Sequence, residues 1–191
     1  TYLMTIDPTP QRGKPSKTGY NKISNNLQLV TGLTYQEIVT YASQPHSYTF
    51  CPATFDGSRK NSNWKGQQSF MLDFDGSATL KDVTSQFAEY EIVPNIIYYT
   101  FSHTDENPRF RVVLLLEESI EDPGIADVIR KGLVNIKGAD IACKDPARMF
   151  LGGLRSEELS VTPVELPRLI NFASIHLVAN DGLRTRVLEK N

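Results

Sequence analysis

The segment from Ser69 to Gly76 constrains this chain more than any other, because an apolar run in it ends in two carboxylates separated by one residue. Such a run predicts a buried strand, in which side chains two positions apart share a face and lie roughly 7 Å apart. Two anions at that distance repel each other unless a cation lies between them. Asp73 and Asp75 therefore predict a site for a divalent cation, Mg²⁺ or Mn²⁺, and a solvated Asp-Phe-Asp-Gly turn is the alternative.

The 191 residues predict a single domain with a sizeable core, since 40% of them are hydrophobic and 22% are charged. No apolar run approaches the roughly 20 residues of a membrane helix, and there is no signal peptide. Cys51 and Cys143 have no metal-ligand spacing and predict free thiols in a reducing cytoplasm. Because the first residue is Thr1, we expect a processed or excised fragment of a longer protein.

Charge is distributed unevenly along the chain. Residues 1–70 contain seven Lys and Arg against three Asp and Glu, a net charge of +4, which leaves −6 for the remainder of a chain whose total is −2. A basic lobe beside an acidic, metal-binding lobe would suit an anionic polymer lying between them, and solvated surface charge is the alternative. The small total argues against a protein that coats nucleic acid by charge alone.

Apolar periodicity predicts alternating helices and strands after an irregular lead-in at residues 1–28. Helices are predicted at 34–43, 80–90 and 122–136, from capping signals and from apolar residues at helical spacing. Strands are predicted at 48–55, in the run up to Asp75, at 96–101 and at 110–116, with a short extended segment at 140–143. The tight hairpin between the last two strands predicts a mixed or antiparallel sheet.

Three groups of polar residues follow these strands. They are Asp73 with Asp75, then Thr100 to Thr104 with Ser102 and His103, then Asp140 followed by Asp145-Pro146-Ala147-Arg148. Individually, each of these residues could be an ordinary turn former, helix cap or surface charge. Together, three carboxylates could bind two metal ions about 3.5–4 Å apart for phosphoryl transfer. A neighbouring set of His, Ser and Arg would orient a triphosphate.

These segments resemble the three motifs of archaeo-eukaryotic primases, and most of all the primase-polymerase domains of plasmids, phages and CRISPR-associated cassettes. The matching segments are Gln68 to Gly76, then Tyr99 to Thr104 with Pro108 to Val113, then Ala139 to Ile141 with Asp145 to Phe150. The resemblance covers roughly residues 45–155. It implies an α+β fold with two lobes, in which a mixed or antiparallel sheet similar to an RNA-recognition motif packs with an N-terminal α/β module.

The resemblance also implies a DNA primase or DNA polymerase, which adds NTPs or dNTPs to a primer on a single-stranded DNA template. By this likeness, Asp73, Asp75 and Asp140 would hold two Mg²⁺ or Mn²⁺ ions. Ser102 and His103 would bind phosphates of the incoming nucleotide, and Arg111 and Arg148 would make further phosphate contacts. A helicase or an accessory priming domain would complete the full-length protein.

The chain departs from the family pattern at two places. The second motif is usually Ser-x-His, whereas Ser102 and His103 are adjacent and Phe101 takes the place of the serine, so the pattern supports His103 more directly than Ser102. Asp145 is an alternative third carboxylate. Asp140 is favoured because its apolar neighbours suit a strand, whereas Asp145-Pro146 suits a turn.

Two other functions are compatible with parts of the sequence. Asp73-Phe74-Asp75-Gly76-Ser77 is similar to the nucleophile loop of haloacid-dehalogenase-type phosphatases, in which Asp73 would be phosphorylated. That motif usually lies near the start of a parallel-sheet domain, and the alternative leaves Ser102 and His103 without a role. A non-catalytic module that binds single-stranded nucleic acid is the other alternative, although it has no use for converging carboxylates.

Overall fold

Two sheets and five α-helices make up the described part of the protein. The computed structural model describes residues 1–188, with side chains described to residue 179. The strands are β1 (Tyr2–Asp7), β2 (Gln28–Leu33), β3 (Thr49–Cys51), β4 (Ala53–Phe55), β5 (Trp64–Asp75), β6 (Ile96–Tyr99), β7 (Arg109–Ile120) and β8 (Arg155–Glu158). The helices are α1 (Lys17–Asn26), α2 (Tyr35–Tyr41), α3 (Leu80–Ala88), α4 (Pro123–Leu133) and α5 (Leu166–Leu188). Short 3₁₀ turns lie at Asn61–Asn63 and Ile141–Lys144.

The fold is of the predicted α+β class. The N-terminal lobe, residues 1–51, contains a three-stranded sheet of order β2-β1-β3 with α1 and α2. The C-terminal lobe, residues 53–188, contains a five-stranded sheet of order β4-β5-β7-β6-β8 with α3, α4 and α5. Neighbouring strands pair antiparallel in both sheets, which confirms the predicted arrangement. None of the helices within residues 1–188 is both long and apolar enough to cross a membrane.

The prediction of an irregular lead-in at residues 1–28 is wrong. This segment forms β1, the central strand of the smaller sheet, and then α1. The strand depends on pairing with β3, more than 40 residues away in sequence, where Thr5 lies opposite Cys51. Local periodicity cannot reveal such a partner. Helix α1 escapes detection because Ile23 is its only buried residue, although Ser16 caps it by accepting from the N–H of Gly19.

The predicted strand at 48–55 is divided at Pro52 into β3 and β4. The two pieces belong to different sheets, since β3 pairs with β1 and β4 pairs with β5. Proline has no N–H for a ladder, so a break at this position is expected. One residue therefore joins the two lobes.

The predicted helices after residue 33 are confirmed, and their capping signals are formed. Thr34 and Glu37 make a capping box at α2, and Asp122 accepts from the N–H groups of Gly124 and Ile125 at α4. The extended segment predicted around 140–143 is wrong. Asp140 instead caps the 3₁₀ turn at Ile141–Lys144 by accepting from the N–H of Ala142.

Candidate active site

The pairing of β5 with β7 places carboxylates beside guanidinium groups. In this antiparallel ladder Asp73 lies opposite Arg111, and Asp75 lies opposite Arg109. Directly opposite residues share a face, and residues two apart along a strand share it too, so all four side chains project from one side of the sheet. Phe74, between the two aspartates, points to the other side and stacks on a phenylalanine of β7 with ring centroids 5.1 Å apart.

Gly76 ends β5 in a conformation that suits glycine, with φ of 84°. A Cβ atom at this position would also collide with Oδ1 of Asn107, so that exposed side chain would have to turn away. The positive φ therefore favours glycine in the turn after the aspartates. This turn brings the end of β5 against the hairpin that precedes β7.

Asp73 is a buried carboxylate that is only partly compensated. Its side chain is 6% exposed, and its Oδ2 lies 3.2 Å from Nη2 of Arg111 and 3.2 Å from Nη2 of Arg148. Its Oδ1 is buried and has no hydrogen-bond partner among the described residues. Asp75 contrasts with it, since its side chain is 58% exposed and its ion pair with Arg109 is 3.6 Å long.

Arg111 is held firmly beside Asp73. Its side chain is 12% exposed, and Nη1 donates to the carbonyl oxygen of Leu151. The guanidinium lies over the rings of Tyr98 and Phe150, 5.6 and 5.8 Å from their centroids. Burial lowers the pKa of Arg111, but Tyr98 and Asp73 outweigh that effect, so the pKa is raised overall. Arg111 is therefore a fixed cation that uses both terminal nitrogens within the protein.

Arg148 joins Asp73 to Asp140. Its Nη2 lies 2.7 Å from Oδ2 of Asp140 as well as 3.2 Å from Oδ2 of Asp73. The N–H of Asp140 also donates to the carbonyl oxygen of Asp73 at 2.9 Å. Burial raises the pKa of Asp140, but hydrogen bonds from Ala142 and Arg148 lower it by more, so the carboxylate is ionised at neutral pH.

The structure brings Asp140, and not Asp145, next to Asp73. Asp145 is exposed, and its Oδ1 accepts from the N–H of Ala147 at 3.0 Å, as a turn former does. The preference for Asp140 thus agrees with the geometry, although the predicted reason does not, because Asp140 caps a 3₁₀ turn and is not in a strand.

Ser102 and His103 lie in the turn after β6, and they differ in their exposure to the cleft. Ser102 is exposed and lines a cleft beside the aspartates. His103 is turned into the hairpin, where its Nδ1 accepts from the N–H of Arg109 at 3.1 Å and its ring lies 4.5 Å from that of Tyr99. Its Nε2 is buried, with no hydrogen-bond partner among the described residues, and lies 3.9 Å from the exposed carboxylate of Asp105. An acceptor at Nδ1 leaves the proton of a neutral imidazole on Nε2.

One cleft of about 330 Å³ opens at this edge of the larger sheet. Its lining combines two carboxylates, four cations, backbone and small polar groups, which is a composition suited to a charged ligand. The lining residues are Lys14, Tyr20, Asp73, Asp75, Thr100, Phe101, Ser102, Arg109, Arg111, Arg148, Met149, Leu151 and Gly152.

Two residues of the cleft, Lys14 and Tyr20, were missed by the sequence analysis. They belong to the segment that was predicted to be irregular: Lys14 lies in the loop before α1, and Tyr20 lies on α1, which packs against β1. The available signal was the excess of cations over anions in residues 1–70, which indicated a basic surface without identifying its members.

The three predicted metal ligands do not form a closed site in this structure. Among the side chains described, no group of three or more His, Cys, Asp or Glu is arranged to hold a metal ion. Asp73 and Asp75 do fit a hard divalent cation in part, because they share a face and Oδ1 of Asp73 has no other partner. Both carboxylate oxygens of Asp140 are used, one by Arg148 and the other by the N–H of Ala142.

The two cysteines are expected to be unreactive in the native protein. Cys51 is fully buried and Cys143 is 7% exposed. Burial raises the pKa of Cys51 to about 12 and that of Cys143 to about 11, so neither forms a thiolate near neutral pH. Iodoacetamide at about pH 8, followed by mass spectrometry, should label neither thiol before unfolding and both in denaturant. Rapid labelling of either cysteine in the folded protein would contradict this burial.

Comparisons with known proteins find a similarity of structure. No family model matches the sequence, and no curated protein matches it. Among solved structures, the AEP domain of the primase-polymerase (PrimPol) of cyanophage S-2L superposes with a TM-score of 0.51 and 12% sequence identity. The match covers 90% of this chain and 88% of that domain. The chain therefore has the fold of a primase-polymerase AEP domain, as the resemblance in its sequence predicted.

Proposed function

We propose that this protein is a nucleotidyltransferase that extends a nucleic-acid strand from nucleoside triphosphates on a single-stranded template. The proposal is carried by the cleft, in which the carboxylates of Asp73 and Asp75 lie beside Arg109, Arg111 and Arg148. Paired carboxylates suit divalent cations, and several cations in one cleft suit a triphosphate. The similarity of fold to a primase-polymerase domain supports the same assignment.

We assign Asp73 and Asp75 as ligands of Mg²⁺ or Mn²⁺, with Asp140 as the third carboxylate. Oδ1 of Asp73 and the exposed carboxylate of Asp75 are the groups with free acceptor capacity. When bound, such ions would supply positive charge next to the attacking and leaving oxygens of nucleotidyl transfer. Asp140 can contribute once Arg148, which is bonded to it and to Asp73, donates elsewhere.

The triphosphate is assigned to the donors on the same side of the cleft. Arg109 and Arg148 have side chains 34% and 21% exposed, so both can turn toward a ligand. The hydroxyl group of Ser102 opens onto the cleft, whereas His103 does not line it, so His103 can donate from Nε2 to a phosphate only if its ring turns out of the hairpin. Arg111 holds Asp73 in place and adds its charge to the site. Charge-assisted hydrogen bonds to phosphate are roughly twice as strong as neutral ones, which favours this arrangement.

Two alternatives fit the geometry less well. A haloacid-dehalogenase-type phosphatase would need the aspartates at the end of a strand in a parallel sheet, whereas β5 pairs antiparallel with both β4 and β7. A purely binding module gives no reason for a buried carboxylate, Asp73, at the edge of an open cleft. Burying a charge is costly, so such a group is expected where it has a specific task.

The test is nucleotide incorporation on defined templates. Labelled NTPs and dNTPs would be supplied separately to primed and unprimed single-stranded DNA, with Mg²⁺ and with Mn²⁺. We expect product on the primed template with at least one metal and one nucleotide type. The unprimed template reports whether the chain also starts strands, and chelation with EDTA should stop synthesis. Absence of incorporation under every condition would contradict the proposal. A helicase or accessory domain stays a prediction of the sequence alone.

A further inference from the structure

A run of cations without anions lies next to the proposed active site. Residues 8–36 contain four Lys and Arg and no Asp or Glu, and all four cations are exposed. They are Arg12, Lys14, Lys17 and Lys22. None of the ion pairs formed by the described residues includes any of them. Their charge is therefore not neutralised within the described part of the protein, and it is available to an anionic partner.

This segment reaches the cleft itself. Lys14 and Tyr20 line the same cavity of about 330 Å³ as Asp73 and Asp75. Lys17 and Lys22 lie on α1, which also carries Tyr20. At about 100° per residue, Lys17 lies about 60° around the helix from Tyr20, whereas Lys22 lies about 160° from it. The cationic surface that begins beside the carboxylates therefore continues through Lys17 and not through Lys22. We call residues 12–20 the cationic lip; its cations are Arg12, Lys14 and Lys17.

Arg59 fixes the position of this surface. Its Nη2 donates to Oγ of Ser24 on α1 at 2.7 Å, and its Nη1 donates to the carbonyl oxygen of Ala147. Ala147 directly precedes Arg148, the residue that bonds Asp73 and Asp140. One guanidinium therefore ties α1 to the loop that carries an active-site cation, so the lip is held at a fixed place beside the carboxylates.

We propose that the cationic lip binds the phosphodiester backbone of a single-stranded nucleic acid and guides it into the cleft. This inference rests on the proposed function, because the strand bound there would be the template or the growing strand. Closely spaced cations along a groove suit a polyanion, and the half-buried ring of Tyr20 offers a face on which a base can stack. DNA and RNA share the phosphate chemistry, so both are candidate ligands.

The test measures binding of fluorescent oligothymidine and oligouridine by anisotropy without nucleotides, at several salt concentrations. Strands of about 20 nucleotides would be used, which is longer than the roughly 4–16 nucleotides that a single OB-fold covers. The variant Arg12→Gln/Lys14→Gln/Lys17→Gln should bind about tenfold to a hundredfold more weakly at low salt. The slope of log K against log salt should become shallower by about 2.

A charge-matched variant serves as the control. Lys65→Gln/Lys81→Gln/Lys131→Gln changes three lysines that do not line the cleft, and it should bind like the wild type. Tyr20→Leu should weaken binding several-fold without changing the salt slope, because stacking on an aromatic ring releases no counterions. Thermal unfolding of each variant checks that the fold is retained. Comparing the two oligonucleotides shows whether DNA or RNA is preferred.

The outcomes separate this inference from the proposed function. If the lip variant binds as tightly as the control variant while the wild type incorporates nucleotides, binding by the cationic lip is overturned and the proposed function stands. If the wild type incorporates nothing, but the lip variant binds more weakly and has a shallower slope of log K against log salt, binding by the cationic lip is supported and the proposed function is overturned. Equal losses of affinity in the lip and control variants would mean that binding depends on net charge alone, which overturns a specific role for the cationic lip.

Discussion

The variant Asp75→Asn is expected to lower nucleotide incorporation by about 1000-fold without unfolding the protein. Losing a carboxylate ligand removes charge stabilisation of several kcal/mol from the transition state, and each ~1.4 kcal/mol corresponds to a factor of ten. The side chain of Asp75 is 58% exposed and its ion pair with Arg109 is 3.6 Å long, so it contributes little to folding. Primer extension at saturating template and nucleotide would measure the loss.

A control for Asp75→Asn comes from another exposed carboxylate on a strand. Glu118 lies on β7, is exposed, and does not line the cleft. Glu118→Gln removes the same charge and should retain wild-type activity. Both variants should unfold within about 2 °C of the wild type. Activity within tenfold of the wild type in Asp75→Asn would be incompatible with a metal-binding role for this residue.

The variant Arg111→Met is expected to destabilise the fold by about 3–5 kcal/mol, because it leaves a buried charge with less compensation. Asp73 is 6% exposed and would keep one cation, Arg148, while the carbonyl oxygen of Leu151 would lose its donor. Methionine fills a similar volume, so packing loss is small beside the electrostatic loss. Urea unfolding followed by circular dichroism would give the free energy of unfolding.

The matched control for Arg111→Met lies two residues earlier on the same strand and face. Arg109 is 34% exposed and pairs with the exposed Asp75 at 3.6 Å, so Arg109→Met should cost less than about 1 kcal/mol. In the double variant Asp73→Asn/Arg111→Met, part of the loss should be recovered, because the uncompensated carboxylate is gone. Equal destabilisation by the two single substitutions would show that burial of the Asp73–Arg111 pair does not govern stability.

The sequence predicted the structure correctly where the pattern depends on residues that are close together in the chain. The apolar run before Asp73 and Asp75 and the capping box at Thr34 each depend on a few neighbouring residues, and each has the predicted structure. The hairpin that contains His103 also has the predicted strands on either side. These features set the class of the fold and placed the carboxylates at a strand end.

The rest of the site depends on contacts between distant segments, which local patterns do not contain. Lys14 and Tyr20 reach the cleft only because β1 pairs with β3 and α1 is tied to Arg59. The 2.7 Å bond from Arg148 to Asp140 follows from a capped turn, whereas apolar neighbours suggested a strand. Composition could indicate a basic N-terminal segment, but it could not say that the segment borders the aspartates.

Pro52 is the single residue between β3 and β4, and so short a connection limits how the two lobes can move to admit substrates. A rotation of one lobe against the other would have to break the two backbone hydrogen bonds that join Phe50 of the N-terminal lobe to Phe150 of the C-terminal lobe. It would also break bonds between the lobes, such as those from Thr5 to Ala53 and from the N–H of Leu3 to Gln68. We therefore expect no hinge between the lobes. The cleft should open and close during turnover by movements of loops and long side chains, while the two sheets keep their relative position.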